Sequence, residues 1–124
     1  MATYVDGFVL VIPKKNRAMY RKMAREGAAL WMKFGALEYR ECRADDMAGY
    51  PGMLPFPKMA KSKPDEEVWF SFIVYASKKD RTRINKLVMA EYDKRHEGKA
   101  TPMPFDPKRV SMGGFTVEVE AEAQ

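Results

Sequence analysis

The sequence is poor in the residues from which most catalytic and metal sites are built. Its 124 residues hold one cysteine, Cys42, and one histidine, His96. A lone cysteine closes no disulfide within the chain, which fits a reducing cytoplasm. A histidine with no second histidine to join it is a poor start for a zinc or haem site, so no metal and no cofactor is expected. Long apolar runs are missing too. No stretch approaches the roughly 18 residues of a membrane span, and no membrane partner is expected. The first residues, Met1-Ala2-Thr3-Tyr4, have no basic segment leading into an apolar core, so no secretory leader is expected. There is no Gly-x-Ser-x-Gly elbow, no phosphate loop and no dinucleotide fingerprint. Carboxylates, tyrosines and arginines remain as the candidates for chemistry.

What is present suits one folded domain over residues 1–124, with an ordinary apolar fraction of 46%. The net charge of +5 is unevenly spread. Lys14, Lys15, Arg17, Arg21, Lys22 and Arg25 crowd the first helical segment, while Glu118, Glu120 and Glu122 lie at the end. A basic helix face is usually solvated surface, and that reading is preferred over a phosphate-binding patch.

Two segments, Tyr4–Ile12 and Val68–Tyr75, are strand-like and apolar on both faces. Around them the chain reads strand, helix, strand, strand, helix, strand. Pro13 ends the first strand. Residues 14–34 form a helix with Tyr20, Met23, Ala24, Gly27, Trp31 and Phe34 on one stripe, and Gly35 stops it. Ala36–Arg43 is a charged edge strand. Asp45–Pro64, with its prolines and glycines, is a long excursion whose apolar residues suggest that it packs on something. Ser77 caps the second helix, with Asp80 completing an approximate capping box. Its inward stripe is Ile84, Leu87, Val88, Glu91, Tyr92 and Arg95, and the helix ends before Gly98. Thr101–Pro107 is an extended connector, with Met103 and Phe105 plugging the core. Lys108–Val119 is the last strand, where Gly113-Gly114 mark a bulge or a close backbone approach.

This order predicts an α+β fold, a ferredoxin-like βαββαβ sandwich with a four-stranded antiparallel sheet and two helices on one face. Strands one and three are central. Two helices cover one side only. A second copy of the chain is the simplest cover for the other, so a homodimer closed as an α/β barrel is expected.

Particular residues carry a resemblance. Tyr4-Val5-Asp6-Gly7-Phe8, Glu41-Cys42 followed by Asp45-Asp46, Phe72-Ile73-Val74-Tyr75 with Ser77-Lys78, Met103-Pro104-Phe105-Asp106 with Lys108-Arg109, and Gly113-Gly114-Phe115 occur in order and well spaced. Together they resemble the YbaA-like family of small uncharacterised bacterial proteins, in the dimeric α/β-barrel superfamily. The resemblance covers nearly the whole chain and implies two ferredoxin-like subunits packed sheet to sheet. It brings no reaction with it. The superfamily includes cofactor-independent monooxygenases, haem proteins and isomerases, so membership does not choose a chemistry.

Asp6, Glu41, Tyr75 and Arg109 are the candidate catalytic residues. A carboxylate such as Asp6 in an apolar strand costs several kcal/mol unless paired, and the four could converge on the sheet face opposite the helices. The blander reading, in which Asp6 pairs with an arginine or caps backbone, is preferred. Tyr4, Phe8, Trp69, Ser71 and Ile73 are expected to line a small, partly polar cavity or the interface. Cys42 is read as a small buried hydrophobe, His96 as an exposed helix-end residue and Asp45-Asp46 as a turn. The expected function is a small-molecule binding or interaction protein. One alternative is a cofactor-independent enzyme, monooxygenase- or isomerase-like, acting on a small organic substrate. The other is a single-stranded RNA binder with aromatics of strands one and three as stacking platforms. RNA is disfavoured because Val68-Trp69 stand where the RNA-recognition consensus has Lys/Arg-Gly.

Overall fold

β-branched and aromatic residues fill two long strands, and these form the spine of the fold. The computed structural model describes residues 3–97, 99 and 102–124. In chain order it comprises β1 (Tyr4–Pro13), α1 (Arg17–Lys33), β2 (Glu38–Arg43), α2 (Phe56–Ala60), β3 (Glu66–Tyr75), α3 (Lys78–His96) and β4 (Ser111–Thr116). Short 3-10 turns at Lys14–Asn16 and Pro107–Arg109 lead into α1 and β4. β1 and β3 pair antiparallel along their full length, from Tyr4 opposite Tyr75 to Pro13 opposite Glu66. The strand order is β2-β3-β1-β4, with every pairing antiparallel. The ferredoxin-like topology expected from the sequence is present, with β1 and β3 in the middle.

The helices start and stop on local signals. The Ser77 hydroxyl accepts from the Asp80 N–H at 3.1 Å, satisfying one orphan donor of α3. Gly35, at φ +113°, turns the chain after α1 in a conformation that a side chain would resist. Gly98 and Thr101, expected at the end of α3 and the start of the following connector, lie outside the described residues, as do Met1 and Ala2. No helix among the described residues is long and apolar enough to cross a membrane.

Register sorts the sheet's side chains into two faces. Tyr4, Asp6, Phe8, Leu10 and Ile12 of β1 point toward the helices. So do Glu67, Trp69, Ser71, Ile73 and Tyr75 of β3, and Tyr39 and Glu41 of β2. Two apolar clusters fix the helices here. Leu30, Ala36, Ile73, Tyr75, Ile84 and Val88 form one, and Leu10, Ile12, Tyr20 and Trp69 the other. Burying each large side chain contributes about 1.5–3 kcal/mol. The helical stripes differ from expectation at two positions. Leu30 is fully buried although the stripe omitted it, whereas Leu87, placed on the inward stripe, is 40% exposed. In the connector, Pro104 is the fully buried plug, Phe105 packs on Tyr20, and Met103 is half exposed.

The opposite face carries Val5, Val9, Val11, Val68, Phe70, Phe72 and Val74. Its burial is graded. Val11 and Val68 are buried at the end where α2 packs on β1 and β3. Phe70 and, on β4, Phe115 are 44% and 61% exposed. The excursion before β3 is less tucked in than its composition suggests, because Tyr50, Met53 and Leu54 are all exposed. Cys42 pairs with Phe70 on this open face and is exposed, not buried, since an edge strand leaves it without a covering layer. β4 runs through Gly113 and Gly114 without a bulge: Gly7 faces Gly113, and Asp6 faces Gly114. The close approach is the part of that expectation that holds. A Cβ on Gly114 would collide with Tyr4 and with Arg81 of α3.

Candidate binding cavity

The helix-facing side of the sheet carries three carboxylates, Asp6, Glu41 and Glu67. Each is handled differently. Glu67 accepts a bidentate pair from Arg17 at 2.8 and 2.7 Å, and a further bond from the Trp69 indole N–H at 3.1 Å. The Arg17 guanidinium holds its carboxyl below the usual range against an opposing effect of burial.

Asp6 is almost fully buried and sits in a network built from α1, β3 and α3. The Tyr75 hydroxyl is 3.1 Å from its Oδ2, the Asn85 amide 3.3 Å from the same oxygen, and Arg81 Nε 3.5 Å from Oδ1. The Trp31 indole N–H is shared between Tyr75 Oη at 3.1 Å and Asn85 Oδ1 at 2.9 Å. Arg81 also donates to the Tyr4 hydroxyl at 3.1 Å and lies over its ring. Burial, then the Asp6 charge, pushes the Tyr75 hydroxyl well above its ordinary value. Arg81 and Asn85 lie four apart on α3, so one helix face supplies both partners. This is the paired aspartate of the blander reading, satisfied internally.

Glu41 lies in a different place. Between α1, α3 and the sheet is a cavity of about 800 Å³, floored by Phe8, Ser71, Ile73, Tyr39 and Glu41. That is within the range of small-molecule sites, roughly 300–1,000 Å³. Met19, Met23, Trp31, Met89 and Tyr92 wall it from the two helices, and Pro104 and Phe105 close one side. The walls are overwhelmingly apolar. Glu41 accepts from the Tyr20 hydroxyl on one oxygen and from the Tyr39 hydroxyl on the other, both at 2.8 Å. Burial, reinforced by the Glu41 charge, raises both phenols far above their ordinary value, so they stay protonated donors. Gly27 makes room for this arrangement, since a Cβ there would come within 3.1 Å of the Tyr39 hydroxyl. His96 stacks on Tyr92 at the rim, half-buried where full exposure was expected.

Three expectations need correction. The four candidate catalytic residues do not converge opposite the helices. Asp6, Glu41 and Tyr75 face the helices, in two separate clusters. Arg109 belongs to neither, because it sits in the turn before β4 and donates to Glu66 and to the Lys61 carbonyl. Among the residues expected at a cavity or interface, Phe8, Ser71 and Ile73 do line the cavity. Tyr4 and Trp69 are buried against Arg81 and Tyr20 instead, and none of the five faces the open side. The cavity is also larger, less polar and on the other side of the sheet from the open face. Tyr4 and Phe8, the first-strand aromatics of the RNA alternative, lie beneath the helices as well. Tyr20, the partner that completes the Glu41 site, was missed as chemistry because its helical spacing marked it only as core. Among the described residues no three His, Cys, Asp or Glu side chains gather closely enough to hold a metal.

An antiparallel β2-β3-β1-β4 sheet with two long helices on one face defines a ferredoxin-like protein. Residues 3–107 match the family described as "Protein of unknown function (DUF1428)", and the chain belongs to that family. It is 40% identical to the "Uncharacterized protein YbaA" of Escherichia coli strain K12 over 112 residues, covering 90% of this chain and 93% of the relative. The Shigella flexneri protein of the same name matches equally. Two solved structures share the fold, each called a dimeric ferredoxin-like protein from an uncultured marine organism. One has a TM-score of 0.64 at 11% identity and covers 99% of this chain and 100% of the other. The second has a TM-score of 0.57 at 9% identity and covers 98% and 100%.

Proposed function

We propose that this protein is a homodimer that binds a small, mostly apolar molecule in the cavity between its helices and its sheet. The single observation that carries the ligand is the cavity itself. Small-molecule sites are concave, mostly apolar clefts of a few hundred to about 1,000 Å³. A solvent-open cleft of about 800 Å³ lined by aromatic and thioether side chains has that size and that apolar character. The self-partner rests on the open face, where Phe70 and Phe115 are exposed. The two dimeric neighbours of the same fold support it. One cysteine, exposed and unpaired, fits a cytoplasmic setting for one domain over residues 1–124.

An enzyme acting without a cofactor is the second reading, and Glu41 is the observation that favours it. A carboxylate in an apolar cavity is placed to take a proton from a bound molecule. Asp6, Tyr75 and Arg109 are spent on internal contacts and drop out of that scheme.

The neutral dye Nile red tests the cavity. Its emission should shift to the blue and intensify on binding, and Met23→Trp, which fills the cavity from α1, should abolish this while leaving the circular dichroism unchanged. Absence of binding, or binding indifferent to Met23→Trp, overturns the ligand reading. Light scattering tests the assembly: the chain should run as a dimer and Phe70→Glu as a folded monomer. A wild-type monomer at micromolar concentration overturns that part.

A further inference from the structure

Every carboxylate on the helix-facing side except one has an arginine. Arg81 serves Asp6 and Arg17 serves Glu67. Among the described residues no lysine, arginine or histidine pairs with Glu41, whose ligands are two phenol hydroxyls. Hydroxyl donors orient a carboxylate and satisfy part of its hydrogen-bonding capacity. They do not cancel its charge, which leaves the carboxylate without a cationic partner beside an apolar, aromatic lining.

The walls around Glu41 point the same way. Six aromatic rings line the cavity, from Phe8, Tyr20, Trp31, Tyr39, Tyr92 and Phe105. The negative faces of such rings attract a cation and do nothing for an anion. Three of the lining's donors are committed elsewhere. The Tyr20 and Tyr39 protons go to Glu41, and the Trp31 N–H goes to Tyr75 and Asn85. The basic side chains of the lining are Lys22, which is exposed, and His96, which stacks on Tyr92; Glu26 also lines it. Met23, Met89 and Met112 complete the lining with flexible, polarizable thioethers suited to an apolar body of irregular shape.

We infer that the cavity is a site for organic cations, and that its ligand is an amine or quaternary ammonium carried on an apolar body. The cationic head lies against Glu41 within the ring of aromatics, and the body extends between α1 and α3. The inference rests on the cavity reading above and narrows it to a ligand class. Glu41 is the specificity-determining residue. It supplies the counter-charge, and Tyr20 and Tyr39 hold the carboxylate in place.

Three probes of similar size separate this inference from the reading beneath it: benzyltrimethylammonium, its neutral isostere neopentylbenzene, and the anion 3-phenylpropanoate. Affinities are read from Trp31 fluorescence and by calorimetry. The cation should bind at least tenfold more tightly than the isostere, and the anion weakest. Glu41→Gln should cost the cation about tenfold and leave the isostere unchanged. Tyr92→Leu keeps an apolar wall but removes a ring, so it should weaken the cation selectively. It also decides the matter should Glu41→Gln fold poorly. If the neutral isostere binds as well as the cation, or if the preference survives both substitutions, the cation inference is overturned while the cavity reading stands. If none of the three probes binds and Nile red does not bind either, both fall.

Discussion

The Tyr75 hydroxyl lies 3.1 Å from Asp6 Oδ2, joining residues 69 apart in sequence across the two central strands. Tyr4 is opposite Tyr75 and Ile73 is opposite Asp6, so the pair are diagonal neighbours on the helix-facing side. The bond ties β1 to β3, and through Trp31 and Asn85 it ties both to α1 and α3.

Removing that hydroxyl should therefore be felt throughout the domain. Tyr75→Phe keeps the ring but leaves Asp6 and the Trp31 N–H short of a partner, and should cost about 1–3 kcal/mol. Asp6→Ala also strips Arg81 of its counter-charge and should cost more, about 3–5 kcal/mol. Urea denaturation with an unchanged slope checks both values. Equal losses for the two would show that the charge adds nothing beyond the hydrogen bond.

Gly114 should tolerate no side chain. Its Cβ would lie 2.8 Å from Tyr4 Cε2 and 2.9 Å from an Arg81 guanidinium nitrogen. Gly114→Ala should lose about 1–3 kcal/mol through overpacking. Gly113→Ala, whose nearest neighbours would be 3.8 Å away, should stay within about 0.5 kcal/mol of wild type. Adding Tyr4→Phe to Gly114→Ala should recover part of the loss, and a double-mutant cycle measures that coupling.

Acid should weaken the fold through Glu66 and Glu67. Hydrogen bonds from Arg109 and Arg17, respectively, are the main cause of both carboxyls lying below their ordinary value of 4.5. A carboxyl lowered by folding stabilises the native state fully at pH above its unfolded value. That contribution drains away as the pH falls from about 4.5 through the lower folded value. The acid limb of stability against pH should therefore flatten in Glu67→Gln, which should lose stability at pH 7 but little at pH 3.

Alkali should reveal the buried phenols. Burial is the leading cause that holds Tyr20, Tyr39, Tyr75 and Tyr92 above the ordinary value of 10. Groups raised in this way stabilise the native state below their unfolded value, and that stabilisation is lost as the pH climbs through the folded one. Tyrosinate absorbance from these four should thus be missing in the native protein just above pH 10 and appear together with unfolding. A smooth titration of every tyrosine near pH 10, with native dichroism retained, would contradict the burial of the Glu41 site.

Cys42 reports on assembly without any substitution of its own. It pairs with Phe70 on the open face and is exposed in the single chain. Reaction with a thiol reagent should slow as protein concentration rises through the dimer equilibrium, and Phe70→Glu should restore the fast rate. A rate independent of concentration would place the partner elsewhere.

The topology was legible because the two strands apolar on both faces had to be central, and two helices left one face bare. Period-two alternation could not say which alternate set the helices would cover. With apolar residues on both sides of Tyr4–Ile12 and Val68–Tyr75, either assignment buries a similar load. Asp6, Glu41 and Tyr75 were therefore identified as notable and placed on the wrong side. Part of the Glu41 site was readable, since Tyr39 stands two residues before it on the same strand face. Tyr20 was not, because only the packing of α1 on β2 and β3 brings its hydroxyl there. Arg81 and Asn85, at a spacing of four on one helix, were the available clue to the Asp6 network. Arg109 misled through its position at the mouth of a strand, where a turn spends it on Glu66.

The cavity and the exposed Phe70 lie on opposite sides of one sheet. In the proposed sheet-to-sheet dimer the packed sheets would lie about 10 Å apart, with each cavity on the far side of its own sheet. Neither subunit then completes the other's site. The proposed dimer should then take two ligands, one per subunit, and titration to saturation should reach one ligand per chain.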